Sequence, residues 1–273
     1  MGKTTIEWTD YSFNPWVGCT KVSAACDHCY AESWAKRAGS PELWQGERRR
    51  TTAANWRNPL KWNRQAADDG IRRRVFCASL ADVFDNQVPL EWQSDLWALV
   101  EHTPNLDWLL LTKRPQNIVK LLPGYWLDNM PENVWLGTTC ENQEEAERRI
   151  PHLLAVPARV LFLSCEPLLG KLDLWQIPGA IYSSVTNRCV TTPGIEPWEC
   201  AEVYSPLGWA IGGGESGPKA RDTDPDLFRD LRDQCRTYGI AYFHKQMAHK
   251  APIPDDLMVR EMPDTSGSEK QEK

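Results

Sequence analysis

Short apolar runs rich in β-formers recur from residue 75 to residue 244, about one every 30 residues, and the stretches between them carry helical spacing. No other feature constrains the fold as much. Antiparallel neighbours can be joined by a tight turn, whereas parallel neighbours need a crossover of a dozen or more residues, usually a helix. The alternation therefore predicts βα units and a parallel sheet. Strands are expected at 75–79, 107–112, 134–139, 159–164, 208–212 and 240–244, with one more ahead of Cys19. Helices are expected at 92–102, 143–154 and 225–238, the last opening on Asp224-Pro225 as cap and first-turn residue. The fold class is α/β: a partial or nearly closed (β/α) barrel of six to seven parallel strands, with residues 1–263 as one domain. Between 176 and 206 the rhythm lapses into a stretch holding Pro178, Pro193, Gly194, Pro197 and Pro206, which reads as an inserted loop without core elements. Residues 264–273 read as a flexible polar tail.

Each apolar run ends in a polar cluster: Ser79 to Asp82, Thr112 to Pro115, Thr138 to Asn142, Ser164 to Pro167, Gly212 to Gly217 and His244 to Gln246. In a parallel barrel those carboxyl ends share one rim, where side chains from different strands converge on a ligand. Gly213 and Gly214 permit close backbone approach to a ligand, or an ordinary turn. Lys113, Arg114 and Lys245 suit a carboxylate or phosphate, or are solvated cations. Glu166, aimed at the same mouth, is a proton donor or a structural partner of those cations.

Nine cysteines is an odd number, and the amino terminus lacks an apolar signal core, so reduced thiols and a cytoplasmic setting are expected in place of a disulfide framework. No apolar run approaches the roughly 20 residues of a membrane-spanning helix. Cys77 and Cys235 read as small buried hydrophobes, and Cys189 and Cys200 lack a companion pair at zinc spacing. Cys19, Cys26 and Cys29 differ, because they fall within one short stretch as C-x6-C-x2-C. Four thiolates saturate a [4Fe–4S] cluster, so three leave one iron open to a small molecule. Zinc with a fourth ligand from elsewhere, and a redox pair at Cys26 and Cys29, are the competing readings.

The formal net charge is −6, which excludes a uniformly basic coat for nucleic acid. The charge is uneven. Residues 36–74 hold eleven Lys/Arg against four Asp/Glu, a local +7, leaving −13 for the remainder. Trp44, Trp56 and Trp62 are interleaved with these cations. Cations beside exposed indoles suit a phosphate backbone with stacked bases, and Arg48, Arg49, Arg50, Trp56, Arg57, Lys61 and Trp62 are the candidate nucleic-acid contacts. The competing reading makes the tryptophans packing residues and the arginines a solvated face.

The dispersed motifs Ile6-Glu7-Trp8-Thr9-Asp10, Asn14-Pro15, Cys29-Tyr30-Ala31-Glu32, Leu110 to Pro115, Trp135 to Thr139, Ser164 to Leu168, Gly213 to Gly217 and Lys245-Gln246 together resemble a phage and prophage protein family. That family is catalogued as of unknown function and described as radical-SAM-like, with a three-cysteine motif. The resemblance runs from about Thr4 to Gln246 and implies a partial (β/α) barrel. It further implies a [4Fe–4S] cluster on Cys19, Cys26 and Cys29, with S-adenosylmethionine (SAM) at the open iron. The first gap of the loop is longer than in the usual C-x3-C-x2-C. In that reading the bound SAM is cleaved to a 5′-deoxyadenosyl radical, and Ser79 and Asp82 lie where such enzymes hold the methionine amino group. Thr138, Asn142, Gly213, Gly214, Glu215 and Ser216 would line the cofactor, with Lys113, Glu166 and Lys245 as the catalytic candidates. A nucleic-acid base or nucleotide is the implied substrate, and a partner protein bearing the three-cysteine motif stays in view. A zinc-dependent nucleic-acid-binding protein and a SAM-independent iron–sulfur regulator are the alternatives.

Overall fold

The computed structural model describes residues 4–195, 200–217 and 219–265. Seven parallel strands form one sheet: β1 (Tyr11–Phe13), β2 (Arg73–Cys77), β3 (Leu106–Thr112), β4 (Val134–Thr139), β5 (Val160–Cys165), β6 (Trp209–Gly213) and β7 (Ala241–Gln246). Neighbours in the sheet are neighbours in sequence, and β1 and β7 are its two edges, so the barrel is partial. The expected strands and their parallel pairing are thus present, with boundaries moved by a residue or two.

Helices α1 (Tyr30–Arg37), α2 (Asn58–Asp69), α3 (Leu90–Glu101), α4 (Gln143–Leu154) and α5 (Pro225–Tyr238) accompany the strands. The Asn142 side chain caps α4 by accepting the Glu145 amide, and the Asp224 side chain caps α5 by accepting the Asp226 amide. Helix α5 stops at Gly239, which takes the left-handed conformation.

Successive strand residues face opposite sides of a sheet, and the core divides accordingly. One face buries Val75, Leu106, Trp108, Leu110, Leu136 and Leu163 in the same cluster as Leu96, Ile150 and Phe228 of the helices. The other, concave face buries Phe76, Leu109, Trp135, Phe162, Trp209 and Phe243 together with Trp8. Trp8 touches Phe76 of β2 (ring centroids 4.7 Å apart) and Trp209 of β6 (6.1 Å), so this one indole spans the concavity.

Two expectations are corrected. The 176–206 stretch contains a short antiparallel pair, Tyr182–Ser183 with Val203–Tyr204, and it buries Ile177, Ile181 and Val190 in the main core. Its prolines punctuate an apolar pattern without cancelling it. The basic segment is also more structural than its charge suggested. Trp62 on α2 is buried and stacks on Tyr11 with ring centroids 4.3 Å apart, so it is a packing residue. The Arg48 side chain is likewise buried, with its guanidinium 2.5 Å from Asp85 Oδ2. Of the tail, only residues 264 and 265 are described; 266–273 lie outside the described residues. No described helix is long and apolar enough to cross a membrane.

Candidate cofactor loop and the strand-end rim

The cysteine loop leaves the sheet through Gly18. Its φ is +111°, and a Cβ there would lie 2.4 Å from the Glu47 carbonyl oxygen and 2.9 Å from that of Leu43, so the position demands glycine. The Gly18 amide donates to the Leu80 carbonyl (3.1 Å) and the Cys19 amide to that of Leu43 (2.9 Å). The loop then crosses the carboxyl edge of the sheet and is fastened at several strand ends. After β2, the Ser79 carbonyl accepts the Tyr30 hydroxyl at 2.6 Å. After β3, Arg114 Nη2 donates to the Thr20 carbonyl and hydroxyl, both at 2.9 Å. After β4, Glu141 Oε1 accepts the Ala25 amide at 3.3 Å. After β6, Glu215 Oε2 lies 2.8 Å from His28 Nδ1, and Arg221 Nη2 donates to the Ala24 carbonyl at 2.9 Å. The loop is therefore held by four strands at once.

Cys26 is buried, Cys19 and Cys29 are half-buried, and Cys29 immediately precedes α1 at its N-cap position. Arg114 Nη1 is 3.6 Å from Cys19 Sγ. Burial, then the Asp82 charge, push the Cys19 thiol up to about 11 despite that guanidinium. As donors, three soft thiols on one loop suit an iron–sulfur cluster or zinc. Among the described residues, however, no three His, Cys, Asp or Glu side chains are grouped so as to hold a metal ion. The donor chemistry fits; the three sulfurs are not gathered on one point.

Much of the rim is engaged in holding the loop and the sheet. Asp82 is buried and fully used: Oδ1 accepts the Thr112 hydroxyl (2.6 Å) and the Phe84 amide (3.0 Å), and Oδ2 accepts the Lys113 amide and Arg114 Nη1, both at 3.0 Å. Ser79 Oγ lies 3.0 Å from both Ser12 Oγ and Asn14 Nδ2. Thr138 shares the helix-facing side of β4 with Val134 and Leu136 and donates to the Thr112 carbonyl at 3.0 Å. Asn142 is the α4 cap. Glu215 takes Arg221 and His28 together; burial opposes ionisation, but hydrogen bonds from the Arg221 side chain, His28 and the Arg221 amide hold its carboxyl down to about 2. Gly214 packs against backbone, since a Cβ there would lie 2.3 Å from the Ala248 amide nitrogen. Gly213 faces Glu166, and Ser216 is exposed.

Glu166 and Lys245 follow the alternation of Phe162 and Phe243, which places both on the concave side at the rim, and they form an ion pair there. Lys113, at the end of β3, is half-buried and forms no ion pair among the described residues. Of the basic segment, Arg50 lies 4.3 Å over the Trp56 ring and pairs with Asp95 at 2.6 Å, while Trp56 Nε1 donates to the Pro15 carbonyl. Arg49, Arg57 and Lys61 are exposed. In the inserted stretch, Cys189 Sγ lies 3.1 Å from the Gly179 amide and from Thr191 Oγ1. Of the loop-fastening residues, Arg221 carried no motif in the sequence, and Glu141 stood in the strand-end cluster Thr138 to Asn142 without an assigned role.

The sheet and the loop define an α/β fold: a parallel half-barrel with a three-cysteine loop laid on its carboxyl edge. The chain belongs to the family described as "Protein of unknown function (DUF5131)", whose model matches residues 3–272. No curated protein matches. Among solved structures, the chain is similar to a mutant spore photoproduct lyase with dinucleoside spore photoproduct, with TM-score 0.50, 10% identity, and coverage of 89% of this chain and 80% of that one. A doubly substituted form of that lyase, with bound AdoMet and the same dinucleoside, has TM-score 0.49 and 12% identity, covering 90% and 81%.

Proposed function

We propose that this chain is a radical-SAM-like enzyme that carries a [4Fe–4S] cluster on Cys19, Cys26 and Cys29, uses SAM, and acts on a nucleic-acid base or nucleotide. The observation that carries the reading is the three-thiol loop fastened to four strand ends over the carboxyl edge of a parallel half-barrel. When bound, the cluster and SAM supply an electron and a 5′-deoxyadenosyl radical able to take a hydrogen atom from substrate. The remaining work falls to the chain's own residues.

Cys19, Cys26 and Cys29 would hold the irons, and the 20–28 segment must shift for their sulfurs to meet. The aromatic packing of the concave face, from Phe76 round to Phe243, keeps water from reaching the rim from below. Lys245 donates to Glu166, so a substrate anion that displaces the carboxylate meets an ammonium, and the released carboxyl can hold a proton. Recognition of the methionine amino group by Asp82 requires Thr112 and Arg114 to release it. The lyase of similar fold was solved with a dinucleoside; for this chain, the nucleic-acid assignment rests on its cations, with Arg49, Arg57 and Lys61 the exposed cations among the candidate contacts.

The test is anaerobic purification with iron and acid-labile sulfide analysis, followed by dithionite and SAM with assay of 5′-deoxyadenosine. Iron and sulfide in equal amounts and release of the nucleoside are expected, and Cys26→Ala should lose both. Zinc without labile sulfide overturns the reading in favour of a zinc-dependent nucleic-acid-binding protein. A cluster without deoxyadenosine release overturns it in favour of a SAM-independent iron–sulfur regulator.

A further inference from the structure

Beside the cysteine loop lies a cavity of about 410 Å³ lined by Val22, Lys113, Gln116, Arg148 and His152. Three of those five residues carry basic side chains, and the lining comes from three separate places. Val22 belongs to the cysteine loop. Lys113 and Gln116 follow β3, and Arg148 and His152 stand one turn apart on the same side of α4. Lys113 has no ion-pair partner among the described residues. Arg148 pairs with Glu145, but that carboxylate also serves the buried Arg149, so one negative charge is shared by two guanidiniums. Glu141 is buried and already occupied by Arg149 and the Ala25 amide, and Glu144, one turn before Arg148 on α4, forms no ion pair among the described residues. The cavity therefore offers the Lys113 ammonium without an ion-pair partner among the described residues, an Arg148 guanidinium whose carboxylate is shared, and a neutral amide donor in Gln116. Its wall includes the loop that the proposed chemistry needs.

We propose that this cavity is the subsite for a backbone phosphate of the nucleic-acid strand on which the enzyme acts, with Lys113 and Arg148 as its main contacts and Gln116 and His152 as hydrogen-bond donors. The inference rests on the proposed nucleic-acid reading and moves its centre from the 48–62 segment to the rim. Two features favour the rim. Arg48 is spent on Asp85 and Trp62 is packed in the core, which leaves the basic segment with fewer available groups than its sequence promised. A phosphate held between Lys113 and Val22 also lies beside the cysteine loop, as the flank of a reacting base must. Lys113, Arg148, Gln116 and His152 would contact the strand without touching the reacting atoms.

The experiment measures binding of a fluorescein-labelled single-stranded DNA oligonucleotide by anisotropy across a salt series, with the full-length protein. Abolishing one phosphate interaction on a single strand lowers the slope of log K against log salt by about 0.7. Lys113→Ala with Arg148→Ala should therefore reduce the slope by about 1.4 and weaken binding at low salt by about tenfold or more. Circular dichroism should show the double variant folded, because Arg149 keeps Glu145. Arg64→Ala, at an exposed position of α2, should change neither quantity. An unchanged slope in the double variant overturns the proposal, as does a slope that falls only with Arg57→Ala and Lys61→Ala. Binding of inorganic phosphate or pyrophosphate by wild type with no affinity for the oligonucleotide also overturns it, by assigning the cavity to a free anion. Deoxyadenosine release is read separately, so the proposed chemistry can survive the failure of this subsite, or fail while the subsite stands.

Discussion

The Glu141 carboxylate joins the α4 helix to the cysteine loop: one oxygen accepts Arg149 Nη1 at 2.7 Å, and the other accepts the Ala25 amide at 3.3 Å. Both charged side chains are almost wholly buried. Removing one partner of a buried pair typically costs about 3–5 kcal/mol, because the other charge stays behind uncompensated. Glu141→Ala is expected to lose stability on that scale in urea titration, and limited proteolysis should cut first within 20–28. Glu141→Gln keeps the hydrogen-bonding shape and should restore protease resistance of the loop more than global stability.

Arg48 and Arg49 are adjacent yet should behave oppositely. Arg48 is locked to Asp85 inside the protein, and Arg49 is exposed. Arg48→Ala is expected to destabilise by about 3–5 kcal/mol, whereas Arg49→Ala should stay within about 0.5 kcal/mol of wild type. Equilibrium unfolding of the two single variants decides this. A weakened oligonucleotide affinity in an Arg48 variant would reflect folding before it reflected direct binding.

Gly214 and Gly217 offer a second matched pair. A methyl group at Gly214 meets the Ala248 backbone at 2.3 Å, and one at Gly217 meets nothing within 4 Å. Gly214→Ala should cost about 1–3 kcal/mol through forced backbone movement, with Gly217→Ala close to neutral. Thermal unfolding midpoints measure both.

His244 sets an acid limit on the fold. Its ring is buried against Phe228, with Nδ1 3.2 Å from the Tyr242 hydroxyl. Burial, aided by the Arg260 charge, lowers its pKa from 6.5 to about 4. The unfolded chain then binds the proton more readily than the folded one, so stability falls as pH drops from about 6.5 to about 4 and levels off below, by on the order of 3 kcal/mol. His244→Gln should flatten that part of the pH–stability curve. An equally steep fall in the variant would assign the effect to other groups.

The sheet was legible in the sequence because parallel strands buried on both faces read as continuous apolar runs, and Asp224-Pro225 marked one helix start through its capping chemistry, whereas Asn142, read as a cofactor contact, caps α4. The partners of polar groups were not legible. Asp82 and Glu215 look like ligand-binding carboxylates in a linear reading, and only the fold reveals that Arg114 and Arg221 engage them. Trp62 and Arg48 misled for the same reason: a count of charges and indoles carries no information about which face of a helix meets the sheet, or which cation meets a distant aspartate. The thiols lie between these cases. Their spacing named a donor set, while the placing of the loop depends on bonds to residues more than a hundred positions away, such as Glu141 and Arg221.

Trp8 precedes every strand of the sheet, yet its indole stands between Phe76 and Trp209 on opposite wings of the curve. It works as a wedge. Shaving it to alanine would leave a void between the wings, into which Phe76 and Trp209 would lean, and the strand ends that carry the Ser79 and Glu215 moorings of the loop would draw together. A residue from outside the strands thus fills the hollow of the curve and joins one side of it to the other.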